Sequence, residues 1–367
     1  MSYRLRLRDV PAHAHGRFRR DPLMALIATG IDVLNWIDGF TEPPERVPGQ
    51  PQQFLGVVVT DRRLVALDEN VVALTFELPD GGQLPNWRPG AHLDVELPSG
   101  TLRQYSLCGD PTDRARYRIA VRLIPHGRGG SAEVHRELPV GAELRIGMPR
   151  NAFPLAVGGY NQRTTAVRLI AGGIGITPIL PMIALLEQVG MPWSMIYCGR
   201  TIDSMAFLPE LEPYRHKITV HSDDESGFAA PATLLGDLSG TPAVYTCGPA
   251  PMVDALRAAL ADRPDVEFHY ERFSAAPVID GEEFDICLAG TGEVLTVGAE
   301  QTALDAILSA RPDATYSCQQ GFCRSCAVRV LAGIPDHRST ALTPQELEAG
   351  YFLPCVSRAE GSLTVEL

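Results

Sequence analysis

The chain has 367 residues, 45% of them hydrophobic and 21% charged, and a formal net charge of −12. That length exceeds what one core supports, so two or three domains are expected, and the composition excludes a disordered or fibrous protein. The acidic balance, with Lys217 the only lysine, argues against nucleic-acid binding, and no apolar run approaches the ~18 residues of a membrane span.

The first twenty residues carry six Arg and one Asp, which raises a targeting peptide or a surface helix, but no small-residue cleavage site follows an apolar core. Asp21 and Pro22 form an N-cap and first-turn pair. Leu23, Leu26, Ile27, Ile31, Leu34 and Ile37 then recur at helical spacing, so residues 1–50 read as an extension holding one amphipathic helix. Such a helix either packs on the body of the protein or docks to a partner or membrane surface.

From residue 52 to 155, short apolar runs (55–60, 71–78, 92–97 and 117–124) are separated by Gly and Pro turns, the pattern of a small antiparallel barrel. Within this stretch lie Arg103 to Leu107, with Tyr105 and Ser106, and Gly127 to Ser131, with Gly129 and Gly130. An arginine, hydroxyl groups and a Gly-rich loop are the parts needed to hold a phosphate monoester and a flat ring, which suggests a flavin at a domain boundary.

Between 160 and 275 the pattern changes to alternating strand and helix: strands at 167–171, 193–198, 218–221 and 243–247, helices at 178–188 and 251–261. This predicts a doubly wound parallel sheet. Gly172, Gly173, Gly175 and Thr177 lie just after a buried strand and open a helix, where free N–H groups bind a pyrophosphate. The third glycine of the usual fingerprint is absent, and the weight comes from a second turn, Cys247, Gly248 and Pro249, placed to line the same crevice.

After a linker at 274–277, residues 280–367 form the last domain, with strands near Phe284 and Val294, a helix over 302–309 and a strand over 362–367. Cys318, Cys323, Cys326 and Cys355 have the spacing of a plant-type 2Fe-2S cluster, Gly321 permitting close backbone approach. A four-cysteine zinc site is the alternative, but structural zinc usually takes two C-x2-C pairs and only one is present. The other cysteines, Cys108, Cys198, Cys247 and Cys287, are scattered, which favours a reducing cytoplasm over a disulfide framework. Nicotinamide delivers a hydride and the cluster takes one electron, and a flavin converts one into the other.

These motifs, together with 149–155 and Tyr270 to Phe273, resemble those of the phthalate dioxygenase reductase family, which includes vanillate demethylase reductases, over residue 52 to the end. The resemblance implies a multi-domain α/β plus all-β protein: antiparallel flavin-binding barrel, NAD domain and β-grasp ferredoxin domain. It implies FMN in place of FAD and a separate oxygenase or other electron-accepting protein as partner. By the same resemblance Arg103 and the Gly129, Gly130, Ser131 loop bind the FMN phosphate, Tyr105 lies against the flavin and Ser106 near N5. Backbone groups of Val121 and Arg122 meet the pyrimidine edge. Thr177 and Cys247 border the nicotinamide and Phe273 stacks where it enters, so Ser106, Thr177, Cys247 and Phe273 are the catalytic candidates. Asp223 and Asp224 would repel a 2′-phosphate, favouring NADH, while Arg200 argues for NADPH. A desaturase, cytochrome or amine monooxygenase partner, or a flavin and NAD redox sensor, are the rival functions. From residue 280 on, 13 Asp and Glu face five Arg, net −8, so an acidic docking face is expected on what reads as a monomer.

Overall fold

A computed structural model describes residues 54–125, 129–159, 163–239, 242–273, 278–311, 314–316, 319–321, 324–339 and 341–367. The N-terminal helix expected over 23–37 and the linker at 274–277 lie outside the described residues.

The first sheet is antiparallel and has seven strands: β1 (Phe54–Leu64), β2 (Val71–Glu77), β3 (Ala91–Glu96), β4 (Leu102–Ser106), β5 (Tyr117–Arg122), β6 (Glu143–Gly147) and β7 (Arg150–Asn151). Their order is β4-β3-β6-β1-β2-β5, with β7 on β3, and a bridge from Leu107 to Ile119 joins the two ends into a barrel. Alternation of β-branched and aromatic side chains sends Val57, Val59, Leu74, Phe76, Leu93, Val95 and Ile119 inward as its core. Helix α1 (Gly130–Glu137) packs on β5.

The second sheet is wholly parallel, with β8 (Ala166–Gly172), β9 (Trp193–Gly199), β10 (Ile218–Ser222), β11 (Pro242–Cys247) and β12 (Glu267–Glu271) in the order β10-β9-β8-β11-β12. Its inner strands β8, β9 and β11 are largely apolar on both faces because both are covered, while the edge strands β10 and β12 carry polar residues. On one side α2 (Ile176–Val189) buries Ile176, Ile179, Met182, Ile183 and Leu186, the i, i+3, i+4 positions of its sequence, against Leu169, Met195 and Tyr245. On the other, α3 (Ala250–Ala259) buries Val253 and Leu256, and Leu256 joins Leu234 and Leu235 over Ile170, Ile196 and Val244. Gly190, at φ +68°, ends α2 by returning its amide to the carbonyls of Leu186 and Glu187.

The third sheet is mixed: β13 (Phe284–Leu288), β14 (Glu293–Val297), β15 (Val328–Asp336), β16 (Tyr351–Phe352) and β17 (Arg358–Val365), ordered β14-β13-β17-β15-β16 with β13 and β17 parallel. Helix α4 (Ala303–Ala310), N-capped by Thr302 onto the Asp305 amide, covers it, and α5 (Pro344–Glu348) follows β15.

The two junctions between sheets differ in kind. Barrel residues Val71, Ala73, Cys108 and Ala120 share one apolar core with Met205, Phe207 and Tyr245 of the parallel-sheet region. Arg118 reinforces that seam, with two nitrogens 2.9 Å from Glu210. By contrast, the apolar clusters of the third sheet contain only residues from 284 onward, among the described residues.

Candidate functional site

The strand order of the parallel sheet reverses between β8 and β11, which opens a crevice at their carboxyl ends. Both Gly-rich turns meet there. A Cβ on Gly172 would stand 2.7 Å from Pro249 Cδ, and one on Gly175 would stand 2.2 Å from the Cys247 carbonyl oxygen. Glycine is therefore required by close approach, and a single 3₁₀ turn (Gly173–Gly175) feeds directly into α2. Gly175→Ala is expected to force the turns apart and cost roughly 1–3 kcal/mol of stability, as overpacking does. Denaturant titration checks it, and an unchanged midpoint would contradict the packing argument.

Thr177 and Cys247 lie at this crevice, but both are buried: the Thr177 hydroxyl donates to the Ile174 carbonyl at 2.9 Å. Burial, and then the Glu271 carboxyl, push the Cys247 thiol well above its ordinary range, so it is neutral and shapes the crevice without ionising. Gly248 lies against Gly172, its Cβ position 3.2 Å from the Gly172 Cα. Phe273 follows the end of β12 and is 49% exposed, less enclosed than a residue packed at a domain interface. At the outer edge, Asp223 opens a helical turn directly after β10, and the Asp224 amide donates to the Arg200 carbonyl at 3.0 Å. The two features that pull the NADH and NADPH readings apart are thus neighbours.

On the barrel, Arg103 of β4 lies beside the start of α1: a Cβ on Gly130 would stand 2.6 Å from its Nε. Gly129, at φ +83°, turns the chain into α1 with no side chain capping the helix, so its first amides and a guanidinium face one spot. That is the donor set a phosphate monoester needs, and it fits one. Ser131 Oγ accepts from the Ile124 amide at 3.0 Å, holding the loop. Gly127 and Arg128 lie outside the described residues. Val121 is buried and its carbonyl accepts from His135 Nε2 at 2.9 Å, while Arg122 ends β5 near Gly173. Tyr105 is partly buried on the barrel core, and Ser106 is buried at the end of β4.

The sequence reasoning assigned no role to Glu271, His92, Arg150 or Tyr316. Glu271 closes β12 and is hydrogen-bonded by Ser106 across the junction between the two sheets. Burial raises its carboxyl to about 8, against the Ser106 bond, so at neutral pH it is mainly protonated. His92 stands opposite Ser106 in the β3–β4 register, with Nδ1 3.9 Å from Glu271 Oε1. Burial and then Arg150 lower His92 to about 4, against Asp94. Both partners are neutral near pH 7, so this close pair is no ion pair. Both His92 nitrogens, Glu271 Oε2 and Gln104 Nε2, from residues that line one cavity, are buried without a hydrogen-bond partner in the protein.

A pH dependence follows. Glu271, raised on folding, contributes stability that is present below about 4.5 and lost as pH rises through about 8. His92, lowered on folding, contributes stability present above 6.5 and lost as pH falls through about 4. Between pH 6.5 and 8 only the first of these slopes acts, so Glu271→Gln should flatten the decline in melting temperature there. An unchanged slope in the variant would show that Glu271 does not carry it.

The Ser106 and Glu271 junction belongs to a cavity of about 140 Å³ whose wall also includes Arg103, Tyr105, Phe273, Tyr316, Gln319 and Gln320. The last three precede or belong to the cysteine loop. Of the four cysteines, Cys318 and Cys323 lie outside the described residues. Cys326 and Cys355 are buried together with Leu304, Leu342 and Leu353. Gln319 and Arg324 have φ of +54° and +62°, and Gly321 has +78° with a Cβ position only 2.7 Å from Val356 Cγ2. Non-glycine residues hold such angles when the surroundings demand it, here a loop curled tightly beside Cys355.

Residues 286–360 match the family described as 2Fe-2S iron-sulfur cluster binding domain. That match, with the ligand spacing, decides for iron and sulfide over zinc. Over 319 residues the chain is 38% identical to vanillate O-demethylase oxidoreductase of Pseudomonas sp. strain HR199, covering 84% of this chain and 98% of that one. The chain belongs to the phthalate dioxygenase reductase and vanillate demethylase reductase family. It is 37% identical to phenoxybenzoate dioxygenase subunit beta of Ectopseudomonas oleovorans, over 82% of this chain and 92% of that one. The solved phthalate dioxygenase reductase, a modular structure for electron transfer from pyridine nucleotides to 2Fe-2S, superposes with a TM-score of 0.63. That match has 30% identity and covers 86% of this chain and 98% of that chain. This member of the reductase family is accordingly an NAD(P)H-dependent iron-sulfur flavoprotein oxidoreductase, the reductase component of an oxygenase system. No helix among the described residues is long and apolar enough to cross a membrane.

Proposed function

We propose that the protein takes a hydride from NADH onto FMN and passes electrons singly through the 2Fe-2S cluster to a separate Rieske-type aromatic dioxygenase or demethylase. The observation that carries this reading is the shared cavity, in which barrel residues Arg103 to Ser106, the Glu271 to Phe273 end of the parallel sheet and cysteine-loop residues Gln319 and Gln320 face one another. In this reading residues 52–155 form the flavin unit, 160–275 the NAD unit and 280–367 the ferredoxin unit.

Flavin, when bound, supplies the two-electron to one-electron conversion. The chain supplies placement. Arg103, Gly129, Gly130 and Ser131 hold the phosphate, and Tyr105 supports the ring. Ser106, kept in position by Glu271, offers a hydroxyl to the reacting edge. Gly172, Gly173, Gly175, Thr177 and the Cys247 to Pro249 turn form the nicotinamide crevice, and Phe273 guards its entrance. Asp223, which opens the turn after β10, disfavours a 2′-phosphate and in this reading outweighs Arg200, which follows β9. Cys318, Cys323, Cys326 and Cys355 bind the cluster. Exposed Glu282, Glu283, Glu293, Glu360 and Glu366 give the ferredoxin unit an acidic surface for a basic partner, an association that weakens with salt. Free thiols at Cys108, Cys198, Cys247 and Cys287 suit action in the cytoplasm.

A second reading of the partner comes from the tert-butanol monooxygenase / tert-amyl alcohol desaturase reductase subunit of Aquincola tertiaricarbonis, 36% identical over 80% of this chain. Its name points to a non-aromatic substrate for the terminal enzyme. Anaerobic titration of purified protein with NADH, with chromatography of the released flavin, tests the main reading. Bleaching of flavin and cluster bands by NADH and release of FMN are expected. Release of FAD, or bleaching by NADPH alone, would refute it.

A further inference from the structure

Among the described residues the ferredoxin unit shares no buried apolar core with the rest of the chain, and polar contacts join its cysteine loop to the other two units. Two side-chain hydrogen bonds meet that loop from opposite sides. Arg150 of β7 donates from Nη1 to Ser325 Oγ at 3.3 Å, and its Nη2 is 2.5 Å from Asp94 Oδ2 on β3. Asp94 is only 3% exposed, so the guanidinium is fixed from behind by a buried carboxylate. On the other side Gln320 donates from Nε2 to the carbonyl of Arg272.

Arg272 is itself immobilised. Its buried side chain reaches Asp254 on α3 at 2.6 Å and lies 5.5 Å from the Tyr270 ring centroid, within cation–π range. The peptide that accepts from Gln320 links Arg272 to Phe273, the residue at the nicotinamide entrance. Its neighbour on the other side, Glu271, is held by Ser106. The loop thus grips the barrel at one point and the end of the NAD sheet at another, with Gly321 and Arg324 in left-handed backbone conformations between the two grips.

We propose that Gln320 and Arg150 are positioning residues that clamp the cysteine loop to the NAD-sheet end and to the flavin barrel, so that the flavin-to-cluster electron step depends on them and the nicotinamide-to-flavin step does not. This rests on the function proposed above. The physical warrant is that a site on a polar junction is only as well placed as the contacts supporting it. Each net hydrogen bond biases a docked over an undocked loop by roughly threefold to tenfold.

The test removes the acceptor on one side and the donor on the other: Ser325→Ala, Gln320→Ala and the pair together. Arg150→Ala is avoided because it would remove a charged partner of the buried Asp94 carboxylate. In anaerobic stopped flow of the fully loaded protein mixed with NADH, flavin bleaching should keep its wild-type rate. Cluster bleaching should slow in each single variant, by up to roughly threefold to tenfold, and further in the double variant. In parallel, hydrogen exchange of amides 319–327 in the full-length protein should rise, and the cluster potential from dye titration should stay at the wild-type value. An unchanged cluster phase overturns the clamp. So does equal slowing of both phases, which would place the residues in folding or flavin binding, and so does a shifted potential, which would make the effect electronic. If wild-type protein itself shows no flavin bleaching by NADH, the function reading fails, while the exchange measurement still decides whether the clamp exists.

Discussion

Cys355→Ser is expected to remove the cluster and with it electron delivery to any one-electron acceptor protein, while NADH-dependent reduction of ferricyanide, which draws on the flavin, persists. Cys355 is buried beside Cys326 and packed by Leu304, Leu342 and Leu353, so the pair lies in a low-dielectric pocket that solvent does not supply with substitute ligands. A serine oxygen is a harder and more basic ligand than a thiolate and suits an iron-sulfur centre poorly. Because ligand binding in such a site is also folding free energy, the third sheet should lose stability as well, and its cysteine loop should become sensitive to protease. Loss of the visible cluster bands with flavin bands intact, together with cytochrome c reduction near background, is the expected record. A variant that kept full cytochrome c activity would show that electrons leave from the flavin and bypass the cluster.

The sequence made some of this architecture legible and concealed the rest for identifiable reasons. Four strands of the parallel sheet were readable, β8, β9 and β11 as largely apolar runs and β10 from the strand and helix alternation, and both glycine turns fall where the strand order reverses. Strand β12, reading Glu-Phe-His-Tyr-Glu, gave no apolar run and was not foreseen. Helix bounds moved by one or two residues: α2 begins at Ile176, two residues before Pro178, since proline is tolerated in a first turn, and α4 begins after its cap Thr302. The final strand starts at Arg358, four residues ahead of the run at 362–367, because Arg358, Glu360 and Gly361 break the apolar pattern while the backbone pairing to β15 continues. Strands β4 and β6 carry charged or polar residues and gave no clear run, β15 is broken by Arg329, Gly333 and Pro335, and α1 hid behind the glycines that start it.

The site shows the same division. Arg103 and Ser106 stand out as residue types in a motif, but His92 acquires meaning only from the β3–β4 register that sets it opposite Ser106. Glu271 and Arg150 lay inside stretches already singled out, and what was missing was the junction that buries the one and gives the other a partner on the cysteine loop. Contacts between distant segments, such as Arg103 with Tyr316, have no local signature in sequence.

That last contact bears on the second large effect, Arg103→Ala, which is expected to release FMN. Arg103 Nη1 donates to the Leu102 carbonyl at 2.8 Å and to Tyr316 Oη at 3.0 Å, and the side chain runs along Gly130 at the start of α1. The guanidinium is thus held in place before any phosphate arrives, and little conformational freedom remains to be lost on binding. A hydrogen bond to a charged group contributes roughly 1.5–3 kcal/mol, so FMN affinity should fall roughly 10- to 100-fold in the variant. The uncapped amides of α1 would retain part of the site, leaving weak binding in place of none. Arg103→Lys keeps the charge but loses the planar fork, and its affinity should lie between the two. Fluorescence titration of flavin-stripped protein with FMN separates these cases. Equal affinity in wild type and Arg103→Ala would move the phosphate elsewhere, and a lysine variant no better than alanine would show that fork geometry, more than charge, is what the phosphate reads.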